Sequence, residues 1–366
     1  MGFVEFTPKG SHAINFSFGQ SYVEDNVPYI MHESWLGTVP GNISLLNDSF
    51  RNYTIDQDAD NKNILIIRTL GAGDMLILSS VVQVIKNKYP NAKISFACVP
   101  VQKEIPQIIE HVDEIYDIPL KSEIFHKFDF HFEVSGLIEG KDENKNRNIY
   151  DVYLEKLGVP VIDGVADIDN NFKRPFIRKD IYENVSKSEK TIGIHPFAND
   201  PIRQLDPNVV NIISSQLINM GYEVILFCSA QEKQHYKPFF NPKITFSKGE
   251  SYTASVTEVA KCDTLIGCDS LMTHLAQAVG TKTIAIYGPF SSYSRAHYYK
   301  NIKIVDTNPD CRCFKHNLGQ CPKHFRISPC LNIDPEFIID IVINNTTPEV
   351  EYKGEINVQA TKYNWR

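Results

Sequence analysis

Three short stretches combine side chains that could move a proton, hold an anion or grip a sugar hydroxyl. The first is Arg68-Thr69-Leu70-Gly71-Ala72-Gly73-Asp74, in which a carboxylate follows two glycines. It lacks the Lys-Ser/Thr of a Walker loop and the full dinucleotide fingerprint. Two roles for Asp74 stay open. It is either an acid capping a helix N-terminus, stabilised by the dipole, or a base that takes a proton from an acceptor hydroxyl. The second stretch, Gly267-Cys268-Asp269-Ser270-Leu271-Met272-Thr273-His274, joins an apolar run to a helical pattern starting near Leu271. Backbone N–H groups at such a helix start can hold a diphosphate. Asp269 would accept hydrogen bonds from sugar hydroxyls, and His274 sits one turn into the helix, as a ligand contact or as a satisfied structural histidine. The third is His195-Pro196-Phe197-Ala198-Asn199 with Arg203, where a cation could offset charge on a leaving diphosphate. A lone loop arginine is equally well read as solvated.

These residues need elements to hold them. Ile64 to Ile67 is a continuous apolar run, as a strand buried on both faces requires. Leu78, Val81, Val82 and Ile85 recur at helical spacing after it. Further strands are expected at 93–99, 114–118 and 128–134, with helices at 105–112 and 150–157, the last ended by Gly158. A polar stretch at 163–190 reads as a linker. Alternation then restarts, with strands at 191–195, 223–228, 264–267 and 283–287 and helices at 207–220, 256–261 and 271–279. Such alternation implies parallel sheets covered by helices, with ligands beyond the carboxyl ends of the strands. Residues 1–60 show no period.

The chain has 366 residues, enough for two domains, and a net charge of −7 with no long basic run. That balance argues against a nucleic-acid surface, without ruling out a local basic cleft. No apolar stretch reaches the roughly 20 residues needed to span a bilayer, and the N-terminus lacks the layout of a secretory signal, so a cytoplasmic location is expected. Of eight cysteines, Cys98, Cys228, Cys262 and Cys268 read as buried small hydrophobes. Cys311, Cys313, Cys321 and Cys330 are clustered. They could hold a structural zinc or stand as reduced thiols in a loop.

Taken together, the three stretches resemble glycosyltransferase family nine, the heptosyltransferases and their relatives. Asp74 falls where that family has its catalytic Asp. Tyr150 to Gly158 is similar to the helix that closes its first domain, and His195 to Ala198 to its His/Asn-Pro-Gly-Ala loop. Asp269 to Ala276 resembles its Asp-Thr/Ser-Gly-x-x-His-Leu-Ala element, and Tyr287-Gly288-Pro289 the strand end that follows. Phe197 and Leu271 replace family glycines where the backbone approaches the donor, and Arg203 stands for the usual Lys.

The resemblance implies a GT-B architecture, two Rossmann-like domains facing each other across a cleft, with an irregular N-terminal extension. The expected organisation is an extension at 1–60, an acceptor-side domain at 61–175, a nucleotide-sugar domain at 176–345 and a tail at 346–366. The resemblance also implies an inverting, metal-independent transfer from a nucleotide-diphosphate sugar to a hydroxyl of a glycan or other acceptor, with no cofactor required. Asp74, on the loop with Gly71 and Gly73, would be general base, and Arg203 would steady the departing diphosphate. His195, Pro196, Asp269, Ser270, Leu271, Met272 and His274 would hold the donor, and Ser229 and Glu232 would contact its nucleotide. Two alternatives use a similar fold: a nucleotide-sugar epimerase or hydrolase, and a non-catalytic nucleotide-sugar-binding protein.

Overall fold

The computed structural model describes residues 3–345 apart from 17–18, 33–39, 47–49, 70, 139–143, 145–146, 238–239, 308–328 and 332. The chain divides into two compact units, Met1–Asn144 with Ile149–Arg178 and Lys145–Asn148 with Lys179–Arg366.

The first unit opens with antiparallel strands where the sequence showed no period. β1 (Phe3–Pro8), β4 (Tyr29–His32) and β5 (Gly41–Leu45) join β9 (Leu120–Lys121) in the order β5-β1-β4-β9, and β2 (His12–Phe16) pairs with β3 (Gly19–Val23). Phe6 of β1 packs with Tyr29 and Met31 of β4, Ile14 of β2 and Val23 of β3 into a small core.

The main sheet of this unit contains β6 (Asn63–Ile67), β7 (Lys93–Cys98), β8 (Glu114–Asp117) and β10 (Phe130–Glu133), all parallel, in the order β10-β6-β7-β8. Its central strands are mostly apolar because both faces are covered; Ile64 to Ile67 are all buried. The helices α1 (Ala72–Ile77), α2 (Ser79–Lys88), α3 (Glu104–Ile108), the single turn α4 (Ser122–Phe125) and α5 (Ile149–Lys156) accompany it. After α5 the short hairpin β11 (Val161–Ile162) and β12 (Val165–Ala166) turns through Asp163 and Gly164, both at positive φ.

One core residue of this sheet is titratable. The imidazole of His131 lies flat on Phe125, with ring centroids 3.9 Å apart. Its Nδ1 accepts from the Arg51 N–H at 3.2 Å, which leaves the proton on Nε2, facing the Phe125 carbonyl at 3.3 Å. Burial pushes its pKa down from the usual 6.5 to about 4. The fold therefore favours the neutral ring. Its contribution is complete above the unfolded value, falls as pH drops from 6.5 to about 4, and is constant below that. The total is roughly 3 kcal/mol. Thermal melts between those limits should lose less stability per pH unit in His131→Gln than in the parent chain. Equal slopes would assign the acid sensitivity to other groups.

The second unit is a six-stranded parallel sheet made of β13 (Thr191–His195), β14 (Glu223–Leu226), β15 (Thr245–Phe246), β16 (Thr264–Cys268), β17 (Lys282–Tyr287) and β18 (Ile302–Asp306). The order is β15-β14-β13-β16-β17-β18, the doubly wound arrangement in which the winding reverses between the first and fourth strands. The helices α6 (Pro207–Asn219), α7 (Ala230–Tyr236), α8 (Tyr252–Lys261), α9 (Leu271–Val279), the short α10 (Tyr293–Ala296) and α11 (Pro335–Asn344) complete it. Ile192, Ile194, Ile266, Ile284 and Ile286 of the strands pack with Val210, Ile213 and Leu217 of α6 and Ile338 and Ile341 of α11. Cys98, Cys228, Cys262 and Cys268 are buried, as expected of small apolar side chains.

Candidate functional site

In a doubly wound sheet, two neighbouring loops diverge where the strand order reverses, and the gap between them receives ligands. In the second unit that point lies between β13 and β16, whose carboxyl ends carry His195 and Asp269-Ser270. His195 Nδ1 pairs with Ser270 Oγ at 3.0 Å. Burial pushes the His195 pKa down to about 3, so the ring is neutral at physiological pH. Ser270 is the N-cap of α9, yet its side chain makes no cap hydrogen bond because it is turned to His195. Among the described residues no N-cap side chain bonds to the first-turn N–H groups of α9, the positive end of the helix dipole.

Arg203 closes the other side. It ends the 3₁₀ turn Pro201–Arg203, which Asp200 caps through the Ile202 N–H. Its Nη1 donates to the Asp269 backbone carbonyl at 3.3 Å and to Asp269 Oδ2 at 3.4 Å, and its guanidinium lies over the Phe290 ring at 5.4 Å. Both contacts to Asp269 are long, and Arg203 Nε is buried with no hydrogen-bond partner among the described residues. Pro196 fixes the loop by accepting the Leu205 N–H at 2.9 Å. Phe197, which stands where the resembled family has a glycine, is buried with its ring edge-on to His195. Leu271 is half-buried at the first position of α9, and Met272 is buried behind it.

The remaining residues of the second unit are engaged elsewhere. Ser229 and Glu232 form a capping box on α7: Ser229 Oγ accepts the Glu232 N–H at 3.2 Å, and Glu232 Oε2 accepts the Ser229 N–H at 2.7 Å. His274 is buried in α9 and pairs through Nδ1 with the Tyr299 hydroxyl at 2.6 Å. The Tyr287 hydroxyl, at the strand end but given no role from the sequence, is buried without a hydrogen-bond partner among the described residues. Burial, then the charge of Asp269, raises its pKa well above 10. Of the cysteine cluster, Cys311, Cys313 and Cys321 lie outside the described residues, as does the tail at 346–366, while Cys330 is buried. The described residues contain no group of three or more His, Cys, Asp or Glu arranged to hold a metal ion. None of their helices is long and apolar enough to cross a membrane.

The first unit has its own reversal point, between β6 and β10. Asp74 is there, but it does not cap α1. The N-cap is Gly71, with φ of 82°, and Asp74 is the third helical residue. Its Oδ2 accepts from Nη2 of Arg68 at 2.7 Å. Gly71 is required twice over. Its φ is left-handed, and a Cβ would come within 2.8 Å of Asp74 Oδ2. Gly73 is the second residue of the same helix.

Residues 169–321 match the family model described as glycosyltransferase family 9 (heptosyltransferase). The chain is 22% identical over 294 residues to the lipooligosaccharide heptosyltransferase 2 of Haemophilus influenzae, covering 63% of this chain and 84% of that one. Its fold is that of a family 9 glycosyl transferase from Veillonella parvula, with a TM-score of 0.60 at 14% identity over 79% of this chain and 99% of that one. The E. coli heptosyltransferase WaaC with ADP-2-deoxy-2-fluoro heptose gives a TM-score of 0.55 at 12% identity, over 78% of this chain and 100% of that one. The chain therefore has the GT-B type of fold, and it is a glycosyltransferase.

Proposed function

We propose that this chain transfers a heptose from ADP-heptose to a hydroxyl of a glycan or other acceptor, with inversion and without a metal ion in the chemistry. The observation that carries this is the grouping of His195, Ser270, Asp269 and Arg203 around the uncapped N-terminus of α9. The family description and the donor analogue held by WaaC support heptose and ADP. The diphosphate would lie on the first-turn N–H groups of α9, with Ser270 Oγ and Arg203 supplying further donors. Asp269 would accept from sugar hydroxyls, with Met272 and His274 behind it, and Ser229 and Glu232 would border the nucleotide.

In the reaction the acceptor oxygen bonds to the anomeric carbon while the bond from that carbon to the diphosphate oxygen breaks. The electron pair of the broken bond leaves on the diphosphate, and the acceptor proton passes to Asp74. Arg203 stabilises the charge that builds on the leaving group.

ADP-heptose at about 100 times its dissociation constant should stabilise the chain by about 2.7 kcal/mol. Thermal shift against ADP-, UDP-, GDP- and CDP-sugars measures this. A response to UDP-sugars alone would overturn the choice of nucleotide. Arg203→Ala should weaken donor binding or slow transfer about 10-fold or more, since a hydrogen bond to a charged group contributes about 1.5–3 kcal/mol. Unchanged kinetics would take Arg203 out of the site.

A further inference from the structure

We propose that Arg68 is a positioning residue for the transfer, holding one oxygen of Asp74 so that the other faces the acceptor hydroxyl. This rests on the reading of Asp74 as the base. Arg68 directly follows β6, and its side chain is only 1% exposed, against 17% for Asp74. A buried guanidinium is costly unless it is paired and hydrogen-bonded. Two of its hydrogen bonds reach different elements. Nη2 donates to Asp74 Oδ2 at 2.7 Å, and Nη1 donates to the Val134 carbonyl, at the end of β10, at 2.9 Å. The backbone around it is tied as well, with Arg68 N–H donating to the Ala97 carbonyl of β7 at 3.1 Å.

The result is a rigid bridge across the reversal point of the first sheet, with the carboxylate at its tip. Asp74 Oδ1 carries no hydrogen bond among the described residues, so only one oxygen is committed to the protein. The turn is shaped around this pair, since a Cβ at Gly71 would approach both Asp74 Oδ2, at 2.8 Å, and Arg68 Nη2, at 3.2 Å. The neighbouring carboxylate, Glu133, is directed differently: its Oε1 accepts the Ser135 N–H at 2.5 Å. A carboxylate that must take a proton along one line loses efficiency when it can rotate away from that line. A two-point guanidinium removes that freedom before the substrate arrives.

The test is a double-mutant cycle on the full chain, with ADP-heptose and an acceptor the chain turns over. Arg68→Met keeps the volume and removes both hydrogen bonds. It should lower kcat by about 100-fold, as misplacement of a reacting group does, with donor KM unchanged. In an Asp74→Asn background the same change should cost less than about threefold, because the carboxylate it positions is gone. A role confined to folding would lower both backgrounds alike, so an undiminished loss in the Asn background overturns the proposal. So does an Arg68→Met enzyme with wild-type kcat. Asp74→Asn at the wild-type rate would instead overturn the base itself. If Arg68→Met does not fold, Arg68→Lys carries the test. It keeps the charge but not the two-armed fork, and a loss of about 10-fold in kcat at constant donor KM is expected. A Lys variant at full rate would exclude two-point positioning.

Discussion

Asp74→Asn is expected to lose about 100-fold or more in transfer rate while still binding the donor, because general-base help of this kind contributes about 100- to 10,000-fold. The structure changes what should happen to stability. Were Asp74 a helix cap, Asn would replace it with little loss. Gly71 is the N-cap, however, and Asp74 is paired with a guanidinium that is almost entirely buried. Asn keeps an oxygen that can accept from Arg68 but not the charge. A loss of about 1–3 kcal/mol is therefore expected alongside the loss of rate. The two effects separate if kcat is measured well below the melting transition and donor binding is measured on the same sample. A folded variant that turns over at the parent rate would make Asp74 structural and move the base elsewhere.

The parallel strands were legible because burial on both faces leaves an unbroken apolar signature. Ile64 to Ile67 in β6 stand out for that reason. The N-terminal strands were not. β5 reads Gly-Asn-Ile-Ser-Leu, and β9 is two residues whose partners, Tyr29 and Ile30, lie some ninety residues earlier. Pairing at such separations leaves no local period.

The candidate site residues divide in the same way. Asp269, Ser270 and His195 were readable as loop residues at strand ends, but their meeting depends on β13 lying beside β16. Strand order is not written in any one segment. Arg68 was readable in principle, since a charge directly following an apolar strand six residues before a carboxylate asks for a partner. The Ser229-x-x-Glu232 spacing carried a capping-box signal that the family resemblance overshadowed, and the structure forms that box.

Lys173→Met is expected to cost about 3–5 kcal/mol, because it strands a buried charge. Lys173 and Asp151 are each 1% exposed, and Lys173 Nζ meets Asp151 Oδ1 at 2.9 Å. Nζ also donates to the Ala166 carbonyl at 2.9 Å, and Asp151 Oδ1 accepts the Ala166 N–H at 3.0 Å. The pair thus ties the first turn of α5, the β11–β12 hairpin and the segment after it around one strand end. Asp151 also gains from the dipole of α5, in whose first turn it lies. A methionine fills the space of the lysine stem but leaves the Asp151 carboxylate in the interior without its cation. For a domain whose total stability is about 5–15 kcal/mol, that is about a fifth of the margin or more. Denaturant titration should show a lower midpoint for the first unit with an unchanged slope. Adding Asp151→Asn to Lys173→Met should recover part of the loss, since Asn still accepts the Ala166 N–H and carries no charge. A single variant that unfolds at the parent midpoint would show that the pair adds nothing. A double variant no better than the single one would assign the loss to packing around the lysine stem.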